Sequence, residues 1–276
     1  PWTDGSSPVR SAPDGYRGPV LAPDRLVDLL AVDAGPVPLD EALLLLAASR
    51  PGADPSIGAG LDELDRLAQT CPVPTLDGLV VHLFGDDGFR GDRTDYHDPR
   101  NSLLDEVLAR RVGMPITLSV VLLETSRRLG VPLVGIGMPG HFLVRDGVDT
   151  DLYVDAYQRG TRLGSDAAVA RFRSIHGPRA NFDPAFLRPV DARSIVVRVL
   201  NNLTASLRMR QPSELDWLLD LRLRVPAPPP DQRALAELCE LRGRFDDAAT
   251  LLDRVATSTD SEAAAQRADR LRARLN

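Results

Sequence analysis

Lysine is absent from this 276-residue sequence: all 33 basic side chains other than histidine are arginine. Without an ε-amine, Schiff-base and lysine-nucleophile chemistry are excluded. Cysteine is almost as scarce. Cys71 and Cys239 stand far apart, which argues against both a disulfide framework and a cysteine-based metal site, and a reduced, cytoplasmic protein is expected. Long apolar runs are also missing, none reaching the roughly 18 consecutive residues of a bilayer span, so no membrane association is expected. Nor is there a basic block. The formal charge is −6, and arginines fall singly or in pairs such as Arg110-Arg111 and Arg127-Arg128, so nucleic acid is not an expected partner. No motif implies a metal or an organic cofactor.

What is present is enough apolar sequence, 43% of the residues against 26% charged, for one large domain or two modest ones. Residues 1–20 are polar and rich in proline and glycine, unlike a basic and apolar leader, and read as a disordered arm. Helical spacing follows in residues 24–50, through Leu26, Leu29 and Leu30 and then Leu43 to Leu46, with a break at "GPVP". Further helices are expected at 57–69 and 76–84. The segment "GDDGFRGDRTDYHDPRNS" reads as a surface loop able to carry function. Next, "NSLLDEVLARRVG" places Ser102 and Asp105 in capping-box spacing and Gly113 as the stop. The helix after it starts with Pro115 in its first turn and ends at Arg127, Arg128 and Gly130. Its many apolar residues predict the buried centre of the domain.

Three short runs, "VPLVGIGM", "GHFLVR" and "DLYVDAY", read as strands, the last two as a hairpin around "DGVDT". With residues 146–150 as the loop, Arg145 opposes Asp151 and His141 faces Asp155. Directly opposed Cβ atoms lie about 4.5 to 5.5 Å apart, within reach of a hydrogen bond that fixes the imidazole tautomer. Such a pair is half of a catalytic triad. On pattern alone, two half-buried polar groups satisfying each other on a sheet are the commoner case, and a one-residue slip would separate them.

These residues carry a resemblance. A helix that follows a glycine and ends in "RRLGVP", then a strand, a histidine at the start of the second strand and an aspartate in the third, resembles the core of the transglutaminase-like superfamily. Residues 88–145, with "NSLLDEVLARR", "GMPITLSV" and "PGHFLVR", are similar to its SirB-type branch, a transglutaminase-like domain followed by tetratricopeptide repeats. The resemblance implies an α+β fold with a papain-like core of helices and antiparallel sheet, followed by an all-α tetratricopeptide-like helical domain. It also implies the positions of a Cys-His-Asp triad. His141 and Asp155 match the histidine and the aspartate, whereas the cysteine position, two residues after Gly113, holds Pro115. Proline has no nucleophile, so the resemblance implies a pseudoenzyme.

Two hydroxyls nearby are candidate substitutes. Thr117 lies about 200° around the helix from position 115, and Ser119 returns to within about 40° but about 6 Å further along the axis. Without a nucleophile, a cleft remains between His141 and the positive helix end at Pro115, Ile116 and Thr117, suited to a carboxylate, carboxamide or carbonyl. Asn101, Tyr96 and His97 are candidate rim contacts, although turn chemistry equally explains them.

Downstream of "LRPVDARS", Leu219-Asp220 recurs as Leu252-Asp253, an offset of 33 residues that matches a tetratricopeptide repeat. In "LCELRGRFDDAATLL", Gly243 falls at the turn and Ala248 at a close helix contact. The expected organisation is an arm at 1–20, a transglutaminase-like domain at 21–190 and a helical domain at 191–276. The expected function is a non-catalytic binding or regulatory module that engages a protein or peptide partner through cleft and repeats. The rival is an amide-bond hydrolase or acyltransferase using His141, Asp155 and a hydroxyl. A third reading, a structural relic, requires the cleft to be filled by apolar side chains.

Overall fold

Leucine runs at helical spacing build the first layer: α1 (Ala22–Leu29), α2 (Leu39–Ala48), whose leucines 43–46 are all buried, and α3 (Gly58–Gln69). The computed structural model describes residues 21–31, 35–54 and 56–274, so the expected arm at 1–20 lies outside the described residues. Helix α4 (Leu76–Val81) is capped by the Thr75 hydroxyl, which accepts from the Gly78 N–H at 3.2 Å, and runs on into a π turn, His82–Asp86. The polar loop after it is pinned by two short strands, β1 (Arg90–Gly91) and β2 (Val112–Gly113), paired in parallel on either side of α5 (Leu104–Arg110).

The start and stop of α5 differ from the sequence reading. Ser102 belongs to a 3₁₀ turn, Pro99–Ser102, that Asp98 initiates by accepting from the Arg100 N–H, and its hydroxyl donates to the Met114 sulfur at 3.3 Å. Leu103 is the N-cap, without a side-chain bond. At the other end Arg111, not Gly113, takes the left-handed conformation that stops the helix (φ 59°).

Helix α6 (Pro115–Arg128) forms the centre as expected, with Pro115 at its first position and Gly130 (φ 70°) beyond its end. A four-stranded antiparallel sheet follows in the order β3 (Leu133–Ile136), β4 (Leu143–Asp146), β5 (Tyr153–Asp155) and β6 (Thr161–Leu163). The register of β4 on β5 is shifted from expectation: Arg145 pairs with Tyr153, not Asp151, and Val144 with Val154, because the Asp146 N–H closes the hairpin on the Leu152 carbonyl. A shift of two residues keeps each side chain on its face.

Alternation sorts the strands between two apolar clusters. Phe142, Val144 and Val154 face the main core with α6, whereas Leu143 and Tyr153 face α7 (Ser165–His176) through Ala168 and Phe172. Five further helices complete the chain: α8 (Ala192–Arg210), α9 (Leu215–Arg224), α10 (Pro229–Leu241), α11 (Phe245–Thr259) and α12 (Glu262–Arg272). The fold is thus mixed, a helical layer and a small antiparallel sheet followed by a helical region. One apolar cluster runs from Ala22 in α1 to Leu271 in α12. Among the described residues no helix is long and apolar enough to cross a membrane.

Candidate functional site

His141 sits just before β4, at the end of a turn in which its own N–H reaches the Met138 carbonyl at 3.1 Å. Gly140 makes the turn possible: its φ is 72°, and a Cβ there would stand 2.9 Å from His176 Nε2. The imidazole Nε2 meets Asp155 Oδ2 at 2.9 Å, with His141 8% exposed and Asp155 fully buried. The two residues are diagonal neighbours in the observed register rather than a facing pair. Asp155 is bound from three sides. Beyond His141, its Oδ2 lies 3.2 Å from Arg171 Nη2 of α7, and its Oδ1 accepts from the Gln158 N–H at 3.1 Å. A carboxylate on Nε2 places that ring proton toward Asp155 and leaves Nδ1 as the outward nitrogen. Nδ1 has no protein partner among the described residues.

Helix α8 supplies the opposite wall. Arg198 Nη2 donates to the carbonyls of Met138 and His141, both at 2.6 Å, and so buttresses the turn that carries the histidine. Burial pulls the Arg198 pKa below the usual arginine value, and no carboxylate pairs with it among the described residues. Between these elements lies a cavity of about 360 Å³, bordered by Tyr96, Pro115, Ile116, His141, Arg198 and Asn202. The Ile116 N–H faces no acceptor among the described residues, because it lies in the first turn of α6. A larger depression of about 800 Å³ next to β1 holds Arg90, Arg93 and Arg110 with Asp92, Asp95 and Asp98, and does not include His141. Among the described residues no three His, Cys, Asp or Glu side chains converge as metal ligands.

The structure thus brings together His141, Asp155, Tyr96, Pro115 and Ile116. Other candidates stand apart. The Thr117 hydroxyl donates to the Asn101 carbonyl at 2.7 Å, and the Ser119 hydroxyl to the Pro115 carbonyl at 2.8 Å, each facing backbone rather than the imidazole. Asn101 is fully buried beneath the loop, where its amide donates to Asp92 Oδ2 at 3.0 Å and to the Asp95 carbonyl at 2.9 Å. His97 is exposed and stacks edge-on against Tyr96. Arg171, Arg198 and Asn202 were missed in the sequence reading. For Arg198 a signal existed: a single arginine inside the apolar run "IVVRVL" calls for a local reason.

With this geometry in place, the sequence can be set beside known proteins. A UPF0162 protein of Xylella fastidiosa is 44% identical over 126 residues, which cover 44% of this chain and 45% of that protein. The mouse F-box only protein 21 is 37% identical over 137 residues, 46% of this chain and 21% of that protein. The UPF0162 protein YchA of Escherichia coli is 27% identical over 164 residues, 56% of this chain and 61% of that protein. The chain therefore spans less than half the length of the first of these curated relatives. No solved structure matches. Residues 57–201, more than half of the sequence and inclusive of α6, His141, Asp155 and Arg198, match the transglutaminase-like superfamily, and the chain belongs to that family.

Proposed function

We propose that this chain is a non-catalytic transglutaminase-like protein of SirB type, a binding or regulatory module whose cleft receives a hydrogen-bond acceptor at the head of α6. One observation carries the reading. The helix end that faces His141 presents Pro115 and a bare N–H, while the candidate hydroxyls of Thr117 and Ser119 are engaged by backbone carbonyls. Cys71 and Cys239 are both buried and lie outside the cleft, and burial pushes the Cys239 thiol up to about 11. The cavity is open, which argues against a relic packed shut.

The division of labour in this reading puts most of the cleft in residues 21–190 and a partner surface in residues 191–276, with α8 of the second part lending Arg198 and Asn202 to the cleft. Support for a tetratricopeptide-like pair comes from α10 and α11: Gly243 turns between them with φ 74°, and Ala248 is fully buried where they meet. Two buried free thiols suit a reducing compartment, and the cytoplasm is the proposed location.

The test is hydrolysis of chromogenic acyl and anilide substrates by the full chain and by His141→Ala. The proposal expects both proteins to stay at the buffer rate. Turnover by the parent chain that is lost in His141→Ala and in Ser119→Ala would establish the hydrolase reading instead.

A further inference from the structure

Arg198 is an unusual wall for a cleft that merely lost its nucleophile. Arg198 is half-buried, and a partly desolvated guanidinium gains from a counter-charge, yet among the described residues no acidic side chain lies within ion-pair distance of it, and its Nη2 is spent on two carbonyls. Asp155, the carboxylate behind His141, is already taken by His141 and Arg171. Among the described residues Nη1 and Nε of Arg198 make no protein hydrogen bond, and the Ile116 N–H offers a further donor at the positive end of a 14-residue helix. Beside these donors stands a buried acceptor. His141 is more than nine-tenths buried, and with Nε2 turned to Asp155 the ring nitrogen left for a ligand is Nδ1.

We infer that the cleft recognises the C-terminal residue of a peptide: the free carboxylate lies between Arg198 and the Ile116 N–H, and the amide N–H of the same residue donates to His141 Nδ1. This rests on the non-catalytic reading and names its ligand. The guanidinium, the Ile116 N–H and His141 Nδ1 together match a chain end better than the alternatives, with Tyr96 and Asn202 as further polar groups of the cavity. A bare inorganic anion has no N–H for Nδ1, an internal carbonyl leaves the guanidinium without its charge, and a terminal carboxamide does the same. A mostly apolar groove of about 530 Å³ between α8 and the start of α10, bordered by Val197, Pro226 and Pro228, shares Arg198 with the cleft and gives the preceding residues of such a peptide a place to lie.

The experiment uses the full chain and three probes followed by ligand-observed NMR: N-acetyl-Leu-Leu with a free carboxylate, the same peptide as its C-terminal amide, and the acid methylated on its last amide nitrogen. The acid is expected to bind, with each of the other two about tenfold or more weaker, since each lacks one charge-assisted or buried hydrogen bond. Arg198→Met should remove the preference for the acid over the amide, and Arg198→Lys, which keeps the charge and is less disruptive to the turn, should retain part of it. The three-probe comparison on the parent chain stands even where a variant fails to fold. Equal binding of acid and amide would overturn the inference and leave the binding reading in place. Binding of none of the probes would also overturn it, with the binding reading then judged by the hydrolysis assay alone. Cleavage of a probe that disappears in His141→Ala would overturn the binding reading itself.

Discussion

Thr117 and Ser119 are two residues apart on α6 and differ in what their hydroxyls hold. Ser119 bonds back to Pro115 within its own helix, a contact that a helix can forgo. Thr117 ties the head of α6 to the preceding loop, donating to the Asn101 carbonyl and accepting from the Met114 N–H at 3.2 Å. Ser119→Ala should therefore change the unfolding free energy by no more than about 1 kcal/mol, and Thr117→Val should cost about 1 to 3 kcal/mol by leaving buried backbone groups unpaired. Urea denaturation of the two variants checks the order; a costlier Ser119→Ala would contradict it. Asp155→Ala should exceed both, at about 3 kcal/mol or more, because it strands Arg171, His141 and the Gln158 N–H together. At this scale the strand pattern brought His141 and Asp155 close, as a facing pair where the structure has a diagonal one. It did not disclose that Arg171 and Arg198 would join them, because nothing local ties an arginine on α7 or α8 to a turn dozens of residues earlier.

At the scale of elements, glycines separate two physical demands that look alike in a sequence. Gly113 and Gly130 both read as helix stops, yet only Gly130 has a positive φ, at 70°, with open space around its missing Cβ. Gly113 is needed for room: a Cβ there would lie 2.9 Å from the Thr117 hydroxyl and 3.0 Å from a Val107 methyl. Gly130→Ala should cost about 1 kcal/mol through backbone strain alone. Gly113→Ala, in contrast, should act on the head of α6, and pairing it with Thr117→Ser, which keeps the crowding hydroxyl, should leave its cost intact, whereas pairing with Thr117→Ala should recover part of it. A double-mutant cycle in urea measures the difference, and full additivity in both pairs would sink the packing argument. The same contrast explains the hairpin. Its existence was legible from alternating apolar residues and a polar turn, but the closing pair was not, since loop lengths that differ by two leave the alternation unchanged. Strand β6 and α7 lack a strong period in the sequence and emerge only from packing on the sheet's second face.

Across the whole molecule, one apolar cluster reaches from α1 to α12, a second lies under α7, and ion pairs tie elements together at the surface. The clearest is Glu63 of α3. It is held first by Arg66, through two contacts of 2.8 and 2.9 Å, and also by Arg111 at the end of α5, while Arg66 reaches on to Asp87 at 3.1 Å. These partners, Arg66 foremost, lower the Glu63 pKa from 4.5 to about 2. A carboxyl group with a lowered folded-state pKa binds protons more readily when unfolded. Its contribution is therefore complete above pH 4.5, and it is lost as the pH falls from there toward 2. Asp40, Asp92 and Asp98 are shifted in the same direction, so the acid sensitivity of the parent chain is shared, and a difference between variants is needed to isolate Glu63. Glu63→Gln should lower the urea midpoint at neutral pH by a modest amount, since the pair is partly exposed and salt screens it. That gap should narrow steadily over the same acid interval, as the parent glutamate becomes protonated and its neutral form resembles the glutamine. A gap that stays constant throughout the acid range would mean that the side chain contributes through packing, and that charge does not join α3 to α5.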